Sequence, residues 1–77
     1  MNEAAEIIGR LHEAVEYLTL ARLKIDGAKC LMQASGQFRN DEYLMLEASE
    51  IDMNLWSEVR DLSKLAHKCA ERKHEHA

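Results

Sequence analysis

The stretch KIDGAKCLMQASGQFRNDE, Lys24 to Glu42, holds the two places where a helix in this chain can stop, so its reading decides the fold. At Asp26-Gly27 a break would leave residues 28–35 as a short separate helix and fold the chain into three helices. The apolar stripe nevertheless passes through Ile25, Ala28 and Met32 without losing phase, and a helical Gly costs only about 1 kcal/mol relative to Ala. The expected helix therefore runs through Gly27. Ser35 and Gly36 supply its stop, Phe38 covers the junction, and Asn40 is the expected N-cap of a second helix with Asp41 and Glu42 as first-turn acids.

Upstream, Asn2 can cap a helix that opens with Glu3 and Glu6, where the macrodipole favours acids. Ala4, Ile8, Leu11, Val15, Leu18, Ile25 and Met32 follow on one face, with Ile7 and Ala14 beside them, which predicts a helix over about 3–34. Downstream, Leu44, Ala48, Ile51, Leu55, Leu62, Leu65 and Cys69 repeat the spacing, with Val59 and Ala66 filling in. That predicts a helix over about 41–72 and a frayed tail at 73–77, which has no apolar anchor. A turn as short as 35–40 makes the two helices antiparallel neighbours. The fold class is all-α, a single-domain two-helix antiparallel hairpin.

A chain of 77 residues buries only about 60% of the surface that its unfolded form exposes, so its core is marginal. Small scaffolds commonly make up the shortfall with a disulfide, a metal or a partner. With 47% hydrophobic and 31% charged residues the chain is composed like a folded protein, and the absence of proline favours long helices. A net charge of -4 argues against a general nucleic-acid binder and against acidic membrane surfaces. The acids of MNEAAEIIGR do not suit a signal peptide, and no apolar run reaches the roughly 18 residues of a membrane span. The expected location is cytoplasmic.

At 100° per residue, Leu20, Leu23, Gly27 and Leu31 fall opposite the first helix's inner stripe, where polar residues are expected. Leu46 and Met53 likewise point away from the second helix's stripe, while Met45 and Trp56 lie between its two sides. Folding at the turn brings these surplus residues to the same end of the hairpin. A contiguous apolar exterior usually marks an interface, so these eight residues form the candidate protein interface. The expectation is that two hairpins dimerise into a four-helix bundle, with Gly27 allowing close approach of backbones, or that a larger protein covers the patch.

Other chemistry is thinly represented. Cys30 and Cys69 lie roughly 35 Å apart along the hairpin at 1.5 Å per residue, too far to bond within one chain, and read as small apolar packing residues. His67, Cys69, His74 and His76 are metal-capable, but His67 and Cys69 point about 200° apart and the other two lie in the tail, so no metal or cofactor is expected. His12 and Glu16 form an i,i+4 pair of the kind that stays solvated. No phosphate loop, nucleophile triad or di-metal carboxylate pattern is present, and two helices do not readily enclose a small-molecule substrate. The chain is not expected to be an enzyme.

Arg60, Lys64, His67 and Lys68 form a basic strip late in the second helix and are the candidate nucleic-acid contacts. Cations also suit a helix C-terminus, and Glu3, Glu6, Glu13 and Glu16 of the neighbouring helix offer counter-charges. The layout is similar to that of the small dimeric hairpins that regulate plasmid copy number by binding RNA. That likeness is one of size and architecture, with no shared motif, and carries no residue over. The leading expectation is a non-enzymatic protein-protein interaction module, an adaptor, chaperone-like partner or inhibitor of a larger complex. An RNA-binding regulator stands second and a metal-binding regulator through the tail third.

Overall fold

The structure, a computed structural model, describes residues 3–75, with side chains through Arg72. It contains two helices, α1 over Glu3–Ala34 and α2 over Glu42–Glu75. The expected cap Asn2 and the tail residue His76 lie outside the described residues, as does the side chain of His74. α1 continues unbroken through Gly27, which has no positive φ, so the three-helix alternative does not form. The backbone of α2 stays helical to Glu75, past the expected end near residue 72, and no Gly or Pro in that stretch interrupts it.

The connection differs from the expected one in two details. Gly36 does not adopt a left-handed conformation, so the stop is not a glycine cap. Instead the Ser35 N–H is shared between the carbonyls of Leu31 (3.0 Å) and Met32 (3.2 Å), and the Ser35 carbonyl accepts from the Arg39 N–H at 3.1 Å. The Ser35 hydroxyl oxygen also accepts from the Gln37 N–H at 3.1 Å, closing a local turn. The second detail is the cap of α2. Asp41, not Asn40, holds that position: its carboxylate accepts from the Leu44 N–H at 3.1 Å and its carbonyl from the Met45 N–H at 3.2 Å. An anionic oxygen at this end also meets the positive pole of the helix, which gives aspartate an advantage there.

The seam between the helices follows a strict alternation of four- and three-residue steps. In α1 it comprises Ala4, Ile8, Leu11, Val15, Leu18, Arg22, Ile25, Lys29 and Met32; in α2 it comprises Met45, Ala48, Asp52, Leu55, Val59, Leu62, Ala66 and Cys69. Every one of these residues is at least partly covered. A 3.5-residue period is that of a coiled coil, whose a and d positions face the neighbouring helix. In those terms Ile8, Val15, Arg22 and Lys29 of α1, and Met45, Asp52, Val59 and Ala66 of α2, are a residues, and the remainder are d residues.

Two charged residues meet inside this seam. Arg22 Nε donates to Asp52 Oδ1 at 3.2 Å, with both side chains about two-thirds or more covered. Among the described residues it is the one ion pair that joins the two helices. Elsewhere the hydroxyls of Thr19 and Ser63 donate back to the Val15 and Val59 carbonyls at 2.8 and 2.9 Å, which satisfies them within their own helices.

The resulting molecule is a rod, 59 × 17 × 10 Å, with a radius of gyration of 17.5 Å. A compact domain of this length would have a radius near 11–12 Å. Among the described residues only Ala66, 3% exposed, is fully buried. The hairpin therefore has a line of contact and no enclosed centre.

Two outcomes follow for the elements just described. Asp52→Ala should lower the unfolding free energy by about 1–2 kcal/mol, because Arg22 is left half-covered without its partner, whereas Arg22→Leu with Asp52→Leu should be neutral or stabilising; thermal melts at fixed concentration followed by circular dichroism measure both. Asp41→Ala should cost about 1 kcal/mol as the loss of a cap, while Asn40→Ala should change stability by less than about 0.5 kcal/mol.

Candidate functional site

The surface is set by how each helix is rotated about its own axis. With the a and d residues in the seam, the e and b positions of both helices lie on one side of the hairpin and the g and c positions on the other, because antiparallel neighbours bring e beside e and g beside g. The f positions point straight outward.

The e side is polar toward the open end and carries Leu23, Leu46, Met53 and Trp56 nearer the turn. Its groove toward the open end is lined by Ile8, His12, Val15 and Glu16 of α1 and by Ser63, Ala66, His67 and Ala70 of α2. His12 and Glu16 both line it without forming the expected ion pair, and His67 contacts Glu71 of its own helix at 3.0 Å. Nearer the turn, Thr19, Arg22, Leu23, Asp26 and Asp52 surround a second shallow groove built around the seam's ion pair. In the first groove the Ser63 hydroxyl donates to the Val59 carbonyl and not to His12 or His67, and among the described residues no three His, Cys, Asp or Glu side chains come together as metal ligands.

The g side carries apolar residues along its whole length. α1 presents Ile7, Ala14, Ala21 and Ala28 there, and α2 presents Leu44, Ile51, Glu58 and Leu65. The d residues beneath them are all apolar: Ala4, Leu11, Leu18, Ile25 and Met32 in one helix, Ala48, Leu55, Leu62 and Cys69 in the other. The charged seam residues Arg22, Lys29 and Asp52 all occupy a positions and so belong to the opposite side. Among the g residues Glu58 and Arg72 are charged, and the bordering c positions carry Arg10, Lys24, Glu47, Asp61 and Lys68. Ile7 and Ile51 are each 51% exposed and Leu65 is 46% exposed, so pairing of the helices leaves the face open.

Here the structure revises the sequence reading. Leu44, Ile51 and Leu65 were expected in the inner stripe of α2, but they stand one position round from it, on the g side; Met45 and Asp52 take the seam positions instead. The missed signal was the unbroken four-and-three rhythm, which passes through Arg22, Lys29 and Asp52 despite their charge.

The expected interface residues take several directions. Leu20 and Gly27 point straight out from α1, Leu23 turns toward the e side and Leu31, 74% exposed, toward the g side. Leu46 and Met53 flank α2 on the e side, with Trp56 beside them under the Arg60 guanidinium, 5.2 Å from the ring centroid. Met45 is half-covered in the seam. The exposed members thus form a collar around the turn-proximal half, with the Arg22–Asp52 pair between the two helices' contributions. A Cβ added at Gly27 would meet nothing within 4 Å.

The basic strip of Arg60, Lys64, His67 and Lys68 lines one shallow groove on the outside of α2, together with Ser63 and Glu71. Two of its members contact acids within α2: Arg60 lies 3.8 Å from Asp61 and His67 lies 3.0 Å from Glu71. The expected counter-charges on α1 do not reach it, and Glu13 instead contacts Arg10 at 3.6 Å. Both cysteines are free, Cys30 exposed and Cys69 partly covered. No helix among the described residues is long and apolar enough to cross a membrane. No protein family, curated protein or solved structure matches this chain.

The division into seam and collar is measurable in stability. Leu62→Ala, which empties the seam, should cost about 1–3 kcal/mol, whereas Leu20→Ala should stay within about 0.5 kcal/mol. Urea unfolding of the two variants at equal concentration compares them.

Proposed function

We propose that this chain is a non-enzymatic protein-protein interaction module of the cytoplasm, an adaptor, chaperone-like partner or inhibitor of a larger complex, that works by having its apolar exterior covered. One observation carries this reading: thirteen large apolar side chains stand exposed among the described residues, where the one buried residue is the small Ala66. A soluble monomer seldom leaves so large a share of its leucines and methionines in water without using them for recognition.

The collar at the turn suits docking against another protein. It combines flexible Met53 and several leucines with the half-exposed indole of Trp56, the kind of side chains that anchor interfaces. Catalysis has no support of this kind, since the grooves are shallow and their polar groups do not converge. RNA binding through the basic strip is weakened by Asp61 and Glu71, which already contact two of its members, and by the acidic net charge of -4.

The test is capture of partners from the source cell with the wild-type chain and with Leu20→Glu, Met53→Glu. Both positions lie outside the seam, so helicity should be unchanged while a specific partner is lost. Partners retained undiminished by the double variant would reject the collar as the recognition surface. RNA affinity falling steeply with salt, and abolished by Arg60→Glu with Lys64→Glu, would replace this reading with the nucleic-acid one.

A further inference from the structure

We infer that the apolar g side of the hairpin is covered by a second copy of this chain, related by a two-fold axis parallel to the helices, so that the two turns lie at the same end of a four-helix bundle. This deepens the reading of the chain as an interaction module and rests on it, but concerns a different surface from the collar.

Area favours a partner of this size. The chain exposes 6282 Å² for its 8.8 kDa. A compact monomer of that mass exposes about 4,800 Å². The difference, about 1,500 Å², exceeds the roughly 800 Å² per partner of a standard interface and falls in the range of permanent homodimers. A second layer of two helices on a slab only 10 Å thick would also convert a line of contact into an enclosed core.

The pattern of the face selects a bundle. In a coiled-coil pair each helix needs only its a and d positions apolar, whereas a bundle helix buries a third position as well. Here the third position is g in both helices, from Ile7 to Ala28 in α1 and from Leu44 to Leu65 in α2, with Glu58 the one exception. The e positions on the opposite side are mixed: His12, Thr19, Asp26, Gln33, Ser49 and Ser63 are polar, whereas Ala5, Trp56 and Ala70 are not. The apolar third position thus repeats along both helices on the g side, while the e side carries large apolar residues only near the turn.

Side-chain size selects the direction of the axis. At g, α1 carries Ile7 and then the small Ala14, Ala21 and Ala28, while α2 carries the large Leu44, Ile51, Glu58 and Leu65. A two-fold parallel to the helices lays α1 of one copy over α2 of the other, so Ala14, Ala21 and Ala28 meet large residues, with Ile7 at the open end the exception. A two-fold perpendicular to the helices lays like on like. It would set alanines against alanines on one edge and leucine and isoleucine against themselves on the other, splaying the layers into a wedge. Facing layers that alternate small and large fill space at native density, and interaxial distances of about 8–10 Å are set by those choices.

The deciding measurement is on the full chain. With Cys30→Ser and Cys69→Ala removing the native thiols, a spin label at Gln37→Cys reports the separation of the two turns by pulsed electron resonance. The expected result is a dimer by sedimentation at micromolar concentration, with a label separation below half of the 59 Å length of the hairpin. Ile51→Glu should weaken the dimer by about 100-fold or more, because a carboxylate would be buried without a partner. Ala21→Leu, which keeps the face apolar but removes the small partner for a large side chain, should also weaken it, and Leu20→Glu on the outward face should not. A monomer at these concentrations, a separation near the full length, or a dimer indifferent to Ile51→Glu and Ala21→Leu would each overturn the proposal. Loss of the dimer with collar-dependent partner capture intact would sink this inference alone and leave the proposed function standing.

Discussion

The contact between Arg22 and Asp52 joins the arcs through which the two helices face each other. Both residues occupy positions that a coiled-coil seam normally fills with apolar side chains. A lone charge there would be penalised by lost hydration, but the pair offsets that penalty with a charge-assisted hydrogen bond while keeping partial access to water. Its value lies less in net stability, which a hydrophobic pair would match, than in specification. Sliding α2 by one turn or rotating it toward its more apolar arc would separate the two charges.

That constraint explains the unusual surface. The apolar arc extends past the a and d seam onto Ile7, Leu44, Ile51 and Leu65 at g, yet the helices meet through a and d. Half of the arc is therefore used within the hairpin and half is left over, as a continuous strip containing Ile7, Ile51 and Leu65. A chain so short has no third helix with which to cover it, and with Ala66 alone fully buried its stability is exposed to anything that binds. A partner that covers this surface would add to both folding and recognition, so the two are coupled in this molecule more tightly than in a larger domain.

The polar features are organised by the same rotation. Seam positions carrying charge lie toward the e side, where His12, Glu16, Ser63 and His67 also gather, so one side of the slab is wet toward its open end and the other dry. The collar of Leu20, Leu23, Leu46, Met53 and Trp56 occupies the outward and e-side surface near the turn. A molecule with a dry face and a separate apolar collar has room for two contacts that do not compete. The basic strip on the outside of α2 has two of its members beside acids of its own helix and adds little long-range field.

Much of this was legible from the residues themselves. Proline-free helical periodicity, the stop signals around Ser35 and Gly36, and the uninterrupted phase through Gly27 determine two long helices joined by a short turn, because each is a matter of local geometry and spacing. The excess of apolar residues beyond one stripe was equally plain, and so was the outward direction of Leu20 and Leu31. What required the tertiary structure was the rotation of each helix in the pair. Periodicity identifies an apolar arc but not which part of it touches a neighbour, and hydrophobic burial, being non-directional, does not distinguish Leu44 and Ile51 from Met45 and Asp52. Only the packed pair decides that, with Arg22 and Asp52 meeting in the seam, and the structure likewise decided that Asp41 and not Asn40 reaches the open amides of α2.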